Sequence, residues 1–445
     1  MFKVYIFLIL LPFFSISQIV SYELQNSWSI FDVQDLYTSS NLPDYIGEIN
    51  YDVEGYKVLY YTPNEDGDLV LASGAVFLPV NTNCDAPILS WQHGTVVSDM
   101  GVPSQNIDDS NVIGIVSASH GYVVVMSDYL GLGEGEGIHN YCHSDTESSA
   151  VIDLIIQGKN LANTQGVSTN NQLFLMGYSQ GGHATMATVK EIEANFSNNL
   201  IVTASAPMAG PYSMSIAQTT MLDDVYPNPG YFPYVIYSYQ NVYDNIYESP
   251  AEIFKPGFEN IFDLYDGTYS MSEINEEIWS ISEELYDIDQ SEFIPLNMLN
   301  LDYFYNYSIN ENHPFRIALQ DNDLLDFIPQ SPMRLIHCNA DDNVPYDNSV
   351  MAFNSFSLLA SEELVLLDGG NFNHSECASF AIQSAKIFFD SLAEFCSPTF
   401  LLEDLDERRL IRSFDSFGRI INLENSGRFI FSIYDDGTVE KSITF

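Results

Sequence analysis

In Gly177-Tyr178-Ser179-Gln180-Gly181-Gly182 the residue types and spacing could do chemistry. A serine on a sharp turn between glycines can raise its hydroxyl above a sheet edge. A helix starting just beyond it offers N–H groups and a positive dipole end to a developing oxyanion. Such a serine needs a base, and the base needs an acid to orient it. Both occur downstream. Asn339-Ala340-Asp341-Asp342-Asn343-Val344-Pro345 places a carboxylate just past a strand. Asp341 is the expected acid, with its neighbour Asp342 as the alternative. His374 follows the glycine-rich loop 368–373 and precedes a long helical stretch. The chemistry would be acyl transfer: His374 takes the Ser179 proton, Ser179 attacks a carbonyl, and water hydrolyses the acyl-enzyme. It requires no metal or cofactor.

The elements around these residues suit that role. Apolar runs at 87–91, 122–126, 173–176, 201–203 and 333–337 read as buried strands, and helical patterns separate them. Strands apolar on both faces, alternating with helices, imply a mostly parallel sheet covered on both sides. Earlier runs at 58–61 and 69–78 read as antiparallel strands that start a mixed sheet. Ser144-Asp145-Thr146-Glu147 fits a capping box, opening a helix with Ala150, Val151, Leu154 and Ile155 on its inner face. A further helix is expected from about His183 to Ala194.

Asp and Glu total 61 against 14 Lys and Arg, a formal net charge of −47. Phosphate neutralisation needs clustered basic residues, so nucleic acid is excluded as a partner. Anionic membrane surfaces are disfavoured for the same reason. Only 17% of residues are charged and 13% are aromatic, so the acidity does not imply disorder. The charge is uneven, because six of the 14 basic residues lie in the last 45. The acidic surface is expected to favour solubility in salty surroundings.

The N-terminus has Lys3, an apolar run from Val4 to Phe14, and small residues at Ser15 and Ser17. This is the layout of a secretory signal peptide over residues 1–17. The run is too short for a bilayer, which needs roughly 20 residues, so no transmembrane anchor is expected. Residues 398–445 alternate apolar and polar positions around an Asp436-Gly437 turn signal. They read as an antiparallel β unit of four or five strands.

Taken together, these stretches resemble the α/β-hydrolase superfamily, and within it secreted esterases and lipases of the secretory-lipase kind. The resemblance rests on WQHGTVV from Trp91, GYVVVMSDYLGLGEGEGIHNYCH from Gly121, LFLMGYSQGGHATMA from Leu173, CNADDNVPYDNS from Cys338 and GNFNHSECA from Gly370. It implies an α/β-hydrolase fold over residues 18–397, with a largely helical cap inserted at about 212–331. It also implies that the backbone N–H groups of Gln180 and Thr95 form the oxyanion hole, with His93 bracing the loop. The implied activity is that of a secreted serine carboxylester hydrolase on small-molecule or lipid esters. The alternatives are a serine peptidase of the same fold, or a non-catalytic surface-binding protein. The tail resembles the sorting domain of proteins exported by the bacterial type IX system, through RRLIRSFDSFGR from Arg408 and DDGTVEKSI from Asp435. That resemblance implies secretion machinery as a partner and an extracellular or cell-surface location.

Other features have structural expectations. His139-Asn140-Tyr141-Cys142-His143 matches no common zinc spacing and is expected to be a loop near the active-site mouth. Asp128, at a strand end, is expected to brace a loop. Tyr226, Tyr231, Phe232, Tyr234, Tyr237, Tyr239 and Tyr243 crowd the start of the insertion, more as packing than as pocket. Glu273, Glu276, Glu277, Glu283 and Glu284 read as the solvated face of a helix. Five cysteines leave at least one unpaired within the chain, or in an intermolecular bond. Cys377 and Cys396 bracket the last helix about 28 Å apart and should not pair with each other.

Overall fold

The computed structural model describes residues 18–43, 46–82, 84–357 and 363–395, and three strands within 410–444. The expected signal peptide, residues 1–17, lies outside the described residues. The chain forms two compact units, Met1–Cys396 and Ser397–Phe445.

The first unit is built on nine strands: β1 (Ile19–Trp28), β2 (Val53–Pro63), β3 (Leu69–Pro79), β4 (Ala86–Gln92), β5 (Val123–Ser127), β6 (Thr169–Tyr178), β7 (Val202–Met208), β8 (Met333–His337) and β9 (Leu364–Asp368). Their order is β1-β2-β3-β5-β4-β6-β7-β8-β9. β1, β2, β3 and β5 pair antiparallel, and every pairing from β5 through β4 to β9 is parallel. β4 and β5 are buried at every position, as continuous apolar strands in a doubly covered sheet must be. This is an α/β-hydrolase-like sheet.

Helices α1 (Ile30–Ser39), α2 (Val112–His120), α3 (Ser144–Thr164), α4 (Gln180–Glu191), α5 (Tyr231–Tyr243), α6 (Pro250–Ile253), α7 (Met271–Tyr286), α8 (Leu301–Ile309), α9 (Pro314–Asp321), α10 (Asp347–Ser357) and α11 (His374–Asp390) complete the unit. One core cluster joins the sheet to α3, α4 and α10. A second joins it to α1, α2 and α11. A third core lies within the insertion between β7 and β8, where α5 to α9 supply Tyr234, Tyr239, Ile274, Ile278 and Phe315. The five glutamates of α7 are exposed, as expected; of the expected inner face Ile274, Ile278 and Ile281, the first two are buried and Ile281 is half-buried.

Two local expectations are corrected. α3 begins at Ser144, but its N-cap is His143 and no side chain caps it. Glu147 does not turn back to Ser144; it is fully buried and bonds to residues far along the chain. α4 starts at Gln180, three residues earlier than expected, directly behind Ser179.

α11 is fixed at both ends. Asn373 and Glu376 form a capping box at its start. Near its end, buried Lys386 bonds to both oxygens of Asp390 at 2.7 and 2.6 Å and to His120 Nδ1 at 2.9 Å. Cys338, at the end of β8, is disulfide-bonded to Cys377 in the first turn of α11. Cys84 is in a disulfide as well, and buried Cys142 is the free thiol among the described residues.

The second unit shows three strands, β10 (Leu410–Asp415), β11 (Arg428–Tyr434) and β12 (Val439–Thr444), in one antiparallel sheet. Four or five were expected; three are present among the described residues.

Candidate active site

Ser179 stands between the last residue of β6 and the first of α4 with φ 63° and ψ −124°. A positive φ is costly for a residue with a Cβ. The turn survives because its neighbours over-determine it. The Ser179 N–H bonds to the Met208 carbonyl at 3.0 Å and the Gly182 N–H returns to the Ser179 carbonyl at 2.8 Å. The flanking glycines are steric necessities. A Cβ at Gly177 would lie 2.3 Å from the Gly181 carbonyl oxygen, and one at Gly181 would lie 2.0 Å from that of Gln92.

His374 Nε2 lies 2.9 Å from Ser179 Oγ, and His374 Nδ1 lies 2.6 Å from Asp341 Oδ2. The imidazole thus connects a hydroxyl to a carboxylate. Tyr178 steadies the histidine, donating from its hydroxyl to the His374 carbonyl at 2.6 Å. Of the two candidate acids, Asp341 faces the ring, while Asp342 Oδ1 accepts the His374 backbone N–H at 3.2 Å. Both carboxylates orient the same residue, one at its ring and one at its backbone.

Asp341 is more heavily tethered than its motif suggests. Oδ1 accepts the N–H groups of Asn343 and Val344 at 2.9 and 2.8 Å. Oδ2 also faces His337 Nε2 at 3.1 Å. Burial raises the Asp341 pKa, but hydrogen bonds and charge from His337 and His374 outweigh it and hold the carboxyl well below its ordinary value. His337 looked like a plain strand residue; its role became visible only when β8 delivered it beside the acid. Its Nδ1 lies 2.8 Å from Ser349 Oγ.

This arrangement gives a pH expectation. A carboxylate with a depressed folded pKa contributes stability that is complete above its unfolded pKa and lost as pH falls through the folded one. In His337→Gln that folded pKa rises toward its ordinary value, so the carboxylate contributes less stability at neutral pH and has less to lose on acidification. The variant should melt lower than wild type near neutral pH, and the gap should narrow as pH falls from about 7 toward 2. Parallel curves would remove His337 from this role.

Among the other sequence candidates, the loop carrying Gly94 passes close to the serine: a Cβ on Gly94 would lie 3.7 Å from Ser179 Cβ. The next residue, Thr95, places its Oγ1 2.9 Å from the Tyr141 hydroxyl. Gln180 is the first residue of α4. His93 is buried, with Nε2 3.3 Å from the Asp128 carbonyl. Asp128 braces loops as expected, accepting the Ser73 hydroxyl at 2.6 Å and the Ser104 N–H at 2.9 Å. Burial raises its pKa to about 6.

Ser179 and Gln180 open into a cavity of about 710 Å³, including its mouth. Its walls are apolar and include Met214, Leu222, Tyr226, Tyr231, Phe232 and Phe315. The insertion aromatics therefore divide: Tyr226, Tyr231 and Phe232 line the cavity, while Tyr234 and Tyr239 are buried in the insertion core. In the 139–143 segment, Tyr141 and Cys142 reach the cavity wall. One group of possible metal ligands occurs among the described residues, Cys142, Glu147 and His183. Glu147 already accepts from the Cys142 N–H, Gln180 Nε2 and His183 Nδ1. Both Glu147 carboxylate oxygens are thus already engaged by protein donors.

The sheet, the serine turn and the apolar cavity define an α/β-hydrolase-like carboxylester hydrolase. Residues 104–374, more than half of the chain, match the secretory lipase family. The chain belongs to that family. No curated protein sequence matches it. Among solved structures it is similar to a putative hydrolase from Legionella pneumophila, with TM-score 0.74, 27% identity, and coverage of 84% of this chain and 98% of the other. It is similar to the rice cell wall degrading esterase LipA from Xanthomonas oryzae, with TM-score 0.72, 28% identity, and coverage of 84% and 97%. The fold is shared with Candida antarctica lipase A in its closed state, at TM-score 0.60, 15% identity, and coverage of 85% and 83%. No described helix is long and apolar enough to cross a membrane.

Proposed function

We propose that this protein is a secreted serine esterase or lipase with Ser179 as nucleophile, His374 as general base and then acid, and Asp341 as the acid that orients it. The observation that carries this reading is the chain of contacts from Ser179 Oγ through His374 to Asp341, at 2.9 and 2.6 Å. His374 takes the serine proton as Ser179 attacks the ester carbonyl. The backbone N–H groups of Gln180 and Thr95 hold the oxyanion. Departure of the alcohol leaves an acyl-enzyme, and His374 activates the water that cleaves it. The insertion at about 212–331 serves as a cap, since Tyr226, Tyr231, Phe232 and Phe315 from it line the cavity that contains Ser179. Those apolar walls suit an ester with an apolar acyl group.

The terminal segments supply export in this reading: residues 1–17 as a cleaved signal peptide, and residues 398–445 as a sorting domain of the type IX kind. Export of a reporter fused to residues 398–445 through that system tests the tail.

The catalytic reading is tested by labelling purified protein with a fluorophosphonate and assaying acyl esters of graded chain length beside aminoacyl amides. Wild type should label and cleave esters, with Ser179→Ala silent in both. Equal labelling of both proteins sinks the assignment, and cleavage of amides alone turns it toward a peptidase.

A further inference from the structure

The His139-Asn140-Tyr141-Cys142-His143 segment remains without a role in the scheme above, yet it and the first turn of α3 reach both residues assigned to the oxyanion hole. Gln180 is tethered twice through its side-chain amide. Nε2 donates to Glu147 Oε1 at 2.8 Å and to His139 Nε2 at 2.7 Å. His139 can accept because its Nδ1 is committed to the Leu130 carbonyl at 3.0 Å. Burial lowers the His139 pKa to about 4, so the ring is neutral above that pH and Nε2 keeps its lone pair. Glu147 is held from its other side by His183 Nδ1 at 2.7 Å and by the Cys142 N–H at 3.2 Å. Every member of this group is buried. Thr95 is tethered from the same segment, because the Tyr141 hydroxyl meets Thr95 Oγ1 at 2.9 Å. Tyr141 is itself immobilised: its ring stacks on Tyr234 at 4.7 Å, and Tyr234 stacks on Tyr265 at 4.7 Å. The Tyr239 and Ser238 hydroxyls bond the Cys142 and His139 carbonyls, each at 2.9 Å, and pin the segment to α5.

We infer that residues 139–147 are the scaffold of the oxyanion hole, with Glu147 and His139 positioning Gln180 and Tyr141 positioning Thr95. This rests on the reading that the backbone N–H groups of Gln180 and Thr95 receive the oxyanion. The physical need is plain. Oxyanion donors act by being aimed before charge develops, and loss of one donor costs about 10²–10³ in kcat. A backbone N–H on a loop such as 93–95 can be aimed only by what holds the loop. The first N–H of a helix can drift with its side chain unless that chain is fixed. Here one segment fixes both. The same segment joins the oxyanion hole to α5, so packing of the insertion sets the geometry at the reacting carbonyl.

Tyr141→Phe keeps the stack and removes only the hydroxyl. It should lower kcat about tenfold with KM within about twofold, a misaimed donor costing less than a missing one. The affinity for a trifluoromethyl ketone, which binds serine as a tetrahedral oxyanion, should fall by the same factor. Thr95→Val should give at least the same loss and add less than its own effect in the Tyr141→Phe background, because both break the Thr95–Tyr141 contact. Thr95→Ser keeps the hydroxyl and should lose less than Thr95→Val. Glu147→Gln, with its melting temperature measured in parallel, should show the same kcat-selective loss through Gln180. A rise in KM alone, or unchanged ketone affinity in Tyr141→Phe, overturns the proposal, as does full additivity of Tyr141→Phe and Thr95→Val. The two readings fail separately. If wild type neither labels with a fluorophosphonate nor cleaves esters, the catalytic assignment fails. If it does both and these variants are unaffected, only the scaffold fails.

Discussion

Ser179→Ala is expected to lower kcat on an ester substrate by roughly 10⁵–10⁶-fold, with a residual rate still above water. Nucleophile, base and acid act as a unit, so removing the first forfeits most of what the other two supply. The residue remaining in the turn still holds φ near 63° and ψ near −124°. Alanine keeps its Cβ and therefore keeps that strain, so the melting temperature of Ser179→Ala should barely move. Glycine is different. Backbone strain of this kind costs about 1–3 kcal/mol, and glycine's greater freedom in the unfolded chain offsets about 0.5–1 kcal/mol of the relief. Ser179→Gly should thus be inactive and more stable than wild type by about 1 kcal/mol. Unfolding curves of the three proteins, with esterase rates, check both halves. A glycine variant no more stable than the alanine one would mean that the turn is not strained.

The contrast between these substitutions bears on what could be read in advance. The serine turn, the downstream acid and the loop histidine were visible because their requirements are local: glycines beside a crowded backbone, a carboxylate past a strand end, a histidine at a helix start. The parallel sheet was visible because strands buried on both faces must be continuously apolar. His337 and Glu147 were not visible in their roles. His337 sits in a strand pattern that any apolar-facing residue would satisfy, and only the fold sets it 3.1 Å from Asp341. Glu147 matched a capping box, but His183 and Gln180 compete for its carboxylate from another helix and win. A buried carboxylate with imidazole and amide donors outweighs a single exposed cap. β1 was missed because its residues are mostly exposed and carry little apolar pattern. The Cys338–Cys377 pairing was also illegible, since five cysteines admit many pairings and spacing decides none of them.

That disulfide carries the second large expectation. It closes 39 residues of chain, and removing such a constraint from the unfolded ensemble costs about 4 kcal/mol of stability. Against a total of about 5–15 kcal/mol for a domain, this is a large share. Its position gives it a second consequence. Cys338 lies three residues before Asp341 and Cys377 three residues after His374, so the bond straps the acid's loop to the helix that carries the base. Both sulfurs are fully buried, so alanine is the suitable replacement; a serine hydroxyl there would add the cost of an unpaired polar group. The double variant Cys338→Ala/Cys377→Ala should unfold at lower urea concentration and with a steeper slope, because its unfolded chain is less compact. Its kcat should fall several-fold with little change in KM, since Asp341 Oδ2 and His374 Nδ1 are separated by only 2.6 Å and small drift weakens that bond. Cys84's disulfide stays intact in this variant, which a reducing agent would not allow. A stability loss below about 1 kcal/mol would mean that strain in the folded state offsets the constraint. An unchanged kcat beside the full stability loss would mean that the Asp341 tethers to Asn343, Val344 and His337 hold the acid unaided.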